Sequence, residues 1–258
     1  MRRTGIGIAV AAGMLLGAAA ASAQTPEELV EKNIRARGGL EKIKAIQSMR
    51  MTGTMALGGE SAPTVLEFKR PARLRWEFTL DGQTAVQAYD GTTGWAIMPF
   101  EGRTEPEKMP AEEIENFKRQ ADIDGPLVDY RAKGNRIELI GKGTAGGRDA
   151  WQLKVTASDG EERVVFLDAE TGLQVKTVAR KTVDGNDVEI VSVIGDYREV
   201  GGLKLPHFFE SSVTGVPESQ SMKFERIELN VPLEDSRFAM PRARAPSPPP
   251  AAPTPSVS

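Results

Sequence analysis

The chain has 258 residues, 40% hydrophobic and 27% charged, with a formal net charge of -3, a single histidine and no cysteine. This is the composition of a soluble globular protein with ample length for a sizeable core. It argues against nucleic acid or an anionic membrane as partner, both of which need a basic face, and it leaves no means of building a disulfide, a thiolate nucleophile or a zinc site.

The N-terminus reads as an export leader, residues 1–23. Arg2 and Arg3 precede an apolar stretch from Ile6 to Ala21, and Ala21-Ser22-Ala23 is the small-residue pattern that a signal peptidase cuts, so the mature chain is expected to start at Gln24. The stretch is short and rich in Gly and Ala, a poor membrane span; an uncleaved anchor is the alternative. A bacterial lipoprotein carries its lipid on a cysteine, so the mature chain is expected to be free of that anchor, soluble in the periplasm or secreted.

A helix should follow. Thr25 is an N-cap, Pro26 fits the first helical position and Glu28 completes a capping box. Leu29, Val30, Ile34 and Arg37 continue at helical spacing, Gly38-Gly39 breaks the helix, and Leu40, Ile43 and Ile46 mark a second short one. One face of the pair is expected to lie on a sheet, with Leu29, Ile34, Leu40 and Ile43 as its apolar stripe, either as a fixed plug or as a lid that moves.

From Ser48 onward, period two dominates. The alternation is strongest over residues 64–100, where Leu66, Phe68, Leu74, Trp76, Phe78, Leu80, Trp95 and Ile97 recur on one face with Lys69, Arg73, Arg75 and Glu77 between them. That is the pattern of antiparallel strands with one wet and one dry side. Tight turns at Gly58-Gly59, Arg70-Pro71, Asp81-Gly82 and Asp90-Gly91 separate the first series. A second series, from Arg136 to Leu229, turns at Asp159-Gly160, Thr171-Gly172 and Asp184-Gly185. About a dozen such strands imply a meander that must curl to bury its apolar face. Residues 101–130 interrupt the pattern with a short acidic helix over Ala111–Gln120, carrying Ile114 and Phe117. The chain is expected to form one domain over 24–240, mainly β with a few helices, followed by a disordered Pro-rich tail over 241–258.

Four segments carry a resemblance. Ala36-Arg37-Gly38-Gly39-Leu40-Glu41-Lys42-Ile43-Lys44-Ala45-Ile46, Tyr89-Asp90-Gly91-Thr92-Thr93-Gly94-Trp95, Leu167-Asp168-Ala169-Glu170-Thr171-Gly172-Leu173 and Val231-Pro232-Leu233-Glu234-Asp235-Ser236-Arg237-Phe238 together resemble the LolA/LolB-like superfamily, the outer-membrane lipoprotein-sorting proteins. The resemblance implies a curved antiparallel half-barrel of about eleven strands with the N-terminal and inserted helices covering its mouth, and an apolar cavity for lipoprotein acyl chains. It names acylated lipoproteins or lipids as ligands, with an inner-membrane transporter or an outer-membrane receptor as docking partner, on a monomer with no cofactor. A regulatory or sensor protein of the MucB or RseB type, or an envelope-interaction protein on the same fold, is the alternative.

The candidate lining of such a cavity is Leu66, Phe68, Leu74, Trp76, Phe78, Trp95, Ile97 and Met98, with Phe100 and Met98 at its rim. Periodicity alone does not separate a cavity lining from a dry core. His207, in Leu205-Pro206-His207-Phe208-Phe209, reads as structural. Asp122 with Asp124, and Glu112 with Glu113, read as solvated surface rather than acid and base or a calcium loop. The stretch from Gly141 to Gly147 reads as a hairpin turn rather than a phosphate loop. Neither catalytic nor metal-ligating residues are expected.

Overall fold

The computed structural model describes residues 24–183 and 186–241. The expected leader, residues 1–23, and the tail from Arg242 lie outside the described residues. Three helices precede or interrupt the strands: α1 (Pro26–Ala36), α2 (Leu40–Ala45) and α3 (Ala111–Gln120). The strands are β1 (Ser48–Leu57), β2 (Glu60–Lys69), β3 (Arg73–Leu80), β4 (Gln83–Tyr89), β5 (Gly94–Met98), β6 (Arg103–Lys108), β7 (Arg136–Ala145), β8 (Arg148–Thr156), β9 (Glu162–Asp168), β10 (Gln174–Val183), β11 (Asn186–Val200), β12 (Leu203–Val213) and β13 (Gln220–Leu229).

All 13 strands form one unclosed antiparallel sheet in the order β6-β5-β4-β3-β2-β1-β13-β12-β11-β10-β9-β8-β7. Each half of the chain is a plain meander, and the pairing of β1 with β13 is the single seam that joins them. Every other neighbouring pair in the sheet is adjacent in the chain and joined by a short connection. The count exceeds the eleven implied by resemblance. One added strand, β6, is an edge strand whose Pro106 and alternating charges hid it from the alternation test; edges tolerate both because one side of the ladder is free.

The sheet curls around α3. This helix packs on β3, β4 and β5 near one end of the strand order, while its polar face reaches the other end: Arg119 Nη1 lies 2.6 Å from Asp159 in the β8–β9 turn, and Lys181 Nζ of β10 donates to Asn116 Oδ1 at 2.8 Å. Strands so far apart in the order can meet one helix only if the sheet folds around it. The inner side therefore carries the helices, and α3 bars the mouth.

The other helices plug one end. In α1 the capping box forms, Glu28 N donating to Thr25 Oγ1 at 3.2 Å and Thr25 N to Glu28 Oε2 at 3.0 Å. Leu29 and Val30 then pack with Leu127, Leu153, Val155, Val165 and Leu167 over β8 and β9. Asn33 Nδ2 and Lys32 Nζ donate to the carbonyls of Gly172 and Ala169 in the β9–β10 turn. Gly38, at φ +118°, lets the α1–α2 turn press on the β11–β12 turn, where a Cβ would sit 2.5 Å from the Gly202 carbonyl oxygen. Ile43 and Ile46 join the main core with Met51, Phe68, Leu74, Leu203, Leu205 and Phe224. Leu40 departs from the expected stripe: it is 44% exposed at the first position of its short helix.

The segment after β13 covers the outer side. Residues 231–241 run back over β1 to β5, burying Leu233 and Phe238. Trp95 Nε1 donates to the Phe238 carbonyl at 2.8 Å, Arg75 Nη1 to the Arg237 carbonyl at 2.8 Å, and Asp235 pairs with Lys69 and Arg73. Beneath this strap Glu67, 1% exposed, bridges Arg50 at 2.8 Å and Arg237 at 2.7 Å. A buried carboxylate needs such partners.

Candidate functional site

Strand register decides which side each expected lining residue faces. Leu66 pairs with Trp76 and Phe68 with Leu74, and on β4 the partners of Leu74, Trp76 and Phe78 are Tyr89, Gln87 and Ala85. These side chains share the inner side, and Met98 packs with Trp76 and Phe78 there. Trp95 and Ile97 do not join them. They pair with Ala88 and Val86, and form an outer cluster with Met240 under the C-terminal strap. Extending one alternation across the turns at Asp81-Gly82 and Asp90-Gly91 fails because β4 and β5 are dry on both sides, and alternation identifies the core side only when one side is wet.

Even the inner group divides. Phe68, Leu74 and Phe78 are buried, the first two against α2 and α3, whereas Leu66, Trp76 and Met98 are half-buried. Trp76 stacks on Phe78 at 5.2 Å, Phe78 meets Phe100 at 5.6 Å, and Phe100 is 40% exposed in the 3₁₀ turn after β5. The indole of Trp76 is fixed from behind by the buried Thr64, whose hydroxyl accepts its N–H at 2.8 Å.

Opposite this aromatic wall, the inner side of β10 to β13 is a half-buried surface that alternation within 64–100 could not reveal. Ile194, Phe209 and Met222 lie in one row across β11, β12 and β13; Ala179, Ile190 and Val213 lie in another across β10, β11 and β12. Between them runs a row of Thr177, Ser192, Ser211 and Gln220. Together the two walls form an apolar trough beneath α3. The sequence does carry a trace of it, Ile190 and Ile194 on β11 and Phe209 and Val213 on β12, each pair four residues apart, weakened by the polar residues between.

At the mouth, α3 meets the β8–β9 turn over a cleft of about 310 Å³ lined by Pro71, Glu115, Arg119, Asp122, Lys133 and Asp159 among others. Its cations are paired: Arg119 with Asp159, Lys133 with Asp122 and Arg163 with Glu161. Asp124 corrects the expectation of solvated surface. It is 2% exposed and accepts from Arg70 Nη2 at 2.5 Å and Lys44 Nζ at 2.9 Å, while Arg37 Nη1 donates to its carbonyl at 2.8 Å. Burial pushes this carboxyl up, but the hydrogen bonds and charges of Arg70 and Lys44 outweigh it and hold the pKa at about 2. Asp122 is half-buried against Lys133. Glu112 and Glu113 are exposed.

His207 is 3% exposed on β12, its Nδ1 3.1 Å from the Leu205 carbonyl. Gly141 and Gly143 lie inside β7, next to a bulge, and only Gly146-Gly147 makes the turn. Among the described residues, no group of three or more His, Cys, Asp or Glu side chains is placed to hold a metal ion, and no helix is long and apolar enough to cross a membrane.

No protein-family model and no curated protein matches the sequence. Solved structures do. A LolA superfamily protein from Nitrosomonas europaea is 12% identical with a TM-score of 0.59, covering 84% of this chain and 98% of its own. A DUF1329 family protein from Desulfovibrio piger is 12% identical with a TM-score of 0.58 and the same coverage. A domain assigned to the outer membrane lipoprotein-sorting proteins, from Vibrio parahaemolyticus, is 13% identical with a TM-score of 0.54 over 81% of this chain and 97% of its own. What is shared is the fold: the curved antiparallel sheet with its inner helices is LolA-like.

Proposed function

We propose that this protein is a non-enzymatic periplasmic binding protein that holds acyl chains of lipoproteins or related lipids in the trough beneath α3, for lipoprotein sorting to, or transport across, the envelope. The observation that carries this reading is the half-buried apolar lining: Trp76, Met98, Phe209 and Met222 pack against the buried core on the inner side of the sheet and each keeps part of its surface open. Each methylene withdrawn from water contributes about 0.8 kcal/mol, so one long chain supplies on the order of 10 kcal/mol gross. Met98 and Met222 suit a ligand of irregular shape, since an unbranched thioether repacks at little cost. The fold shared with a LolA superfamily protein supports the reading, as do the leader expected in residues 1–23 and the lack of a cysteine to acylate.

The test is native mass spectrometry of the protein purified from its own periplasm, followed by titration with a fatty acyl probe read by Trp76 fluorescence. A co-purifying lipid or lipoprotein, and a Trp76 response lost in Phe209→Asp with the fold intact, are the expected results. Empty protein together with an unresponsive Trp76 would overturn the proposal.

A further inference from the structure

The row of polar side chains inside the trough is out of place in a surface meant only for hydrocarbon. Thr177, Ser192, Ser211 and Gln220 stand in direct register on four successive strands, β10 to β13, all half-buried and all on the inner side. Apolar rows flank them on both sides, Ala179, Ile190 and Val213 on one, Ile194, Phe209 and Met222 on the other.

Their hydrogen-bonding capacity is not used up within the protein. Ser192 Oγ and Ser211 Oγ are 2.9 Å apart, so one donates to the other. Each hydroxyl carries one donor and two acceptor sites, and the second hydrogen has no side-chain partner among the described residues. The Thr177 hydroxyl likewise has none there. Gln220 Nε2 reaches only the sulfur of Met55, at 3.0 Å, a weak acceptor. Two hydroxyl donors thus remain between two apolar rows, with no side-chain acceptor to take them.

We infer that Thr177, Ser192 and Ser211 form a polar anchor that donates to an acyl carbonyl oxygen, with the hydrocarbon laid against the flanking rows. The inference rests on the lipid-binding reading above and deepens it: the ligand is an amphiphile fixed at its carbonyl, and the trough discriminates against plain hydrocarbon. The carbonyl belongs either to an ester or to a free fatty acid. Lys181, two residues beyond Ala179 on the same side, would assist the acid.

Displacement of 1-anilinonaphthalene-8-sulfonate from the full mature protein by dodecane, methyl laurate and laurate, each delivered from cyclodextrin, tests this. Comparing wild type with the variant for each ligand cancels the delivery step. In Thr177→Val/Ser192→Ala/Ser211→Ala, methyl laurate and laurate should each weaken about five-fold or more, the size of one hydrogen bond, while dodecane holds or tightens. The ligand that binds wild type more tightly, ester or acid, identifies the source of the carbonyl. If the triple variant does not fold, Ser211→Ala alone carries the comparison. Equal binding of all three ligands to wild type and variant, or an equal loss for all three, overturns the anchor and leaves lipid binding standing. Failure of every ligand to displace the dye from wild type overturns the lipid-binding reading, and the anchor with it.

Discussion

Asp124 shows how one residue can tie several elements. Its carboxylate joins Arg70, at the β2–β3 turn, to Lys44 of α2, and its carbonyl holds Arg37 at the end of α1. Asp124→Asn leaves the partly buried guanidinium of Arg70 without its carboxylate, while Lys44 keeps Asp129, so it should cost about 1.5 to 3 kcal/mol at neutral pH, read from urea unfolding. The pH dependence has a definite sign. The folded pKa of about 2 lies below the value near 3.9 of an unfolded aspartate, so the unfolded chain takes up the proton first. The stabilisation is complete above about pH 4 and is lost as pH falls toward 2; it amounts to about 2.5 kcal/mol. The variant should lack that limb of the stability curve, and a variant with the same acid limb would show that other carboxylates produce it. None of this was legible in Asp122-Ile123-Asp124, because Arg70 and Lys44 lie 54 and 80 residues away. A polar tripeptide carries no mark of burial.

At the scale of elements, the helices and most strands were legible because caps and turn residues are local. The limits of α3 and the capping box of α1 follow from the sequence. What was not legible is which side of β4 and β5 faces inward, since the strap supplies their second apolar partner from residues far along the chain. That strap gives a prediction. Truncation after Pro241 leaves every described contact intact and should not move the melting temperature. Truncation after Asn230 removes Leu233 and Phe238, uncovers the indole of Trp95 and the other apolar side chains beneath the strap, and strips Arg237 from Glu67. Each large apolar side chain contributes about 1.5 to 3 kcal/mol, so the shorter chain should lose several kcal/mol or fail to fold. A second prediction concerns Gly94, where an added Cβ would lie 2.8 Å from Ile114 Cγ1 and 3.1 Å from Met109 Sδ. Gly94→Ala should lift α3 without unfolding the sheet. Faster hydrogen exchange confined to residues 111–120 is the expected signature, and unchanged exchange there would show that α3 yields without detaching.

The molecule as a whole is an unclosed sheet that must keep its ends from pairing and its mouth from collapsing. β6 ends the order with Pro106 and charges, and β7 with a bulge between Leu139 and Gly141, both devices that discourage further strands. The mouth is held differently. Across it α3 is fastened to the far leaf by Arg119 with Asp159 and by Lys181 with Asn116, contacts at partly exposed groups that contribute about 0.2 to 1 kcal/mol each. Such ties are too weak to govern global stability, yet a change of 1 kcal/mol alters the population of an opened mouth about five-fold. The three tryptophans report separately: Trp76 lines the trough, Trp95 is 1% exposed under the strap, and Trp151 lies half-buried on β8. In Arg119→Ala/Lys181→Ala, acrylamide quenching of Trp76 should rise severalfold in a version retaining that tryptophan alone, with Trp95 and Trp151 unchanged in the matching versions. Half-molar salt should reproduce part of the rise in wild type by screening the Arg119 pair, and should add little in the variant. Equal increases at all three tryptophans would mean that the whole sheet loosens, and that α3 is a structural strut rather than a bar across the mouth.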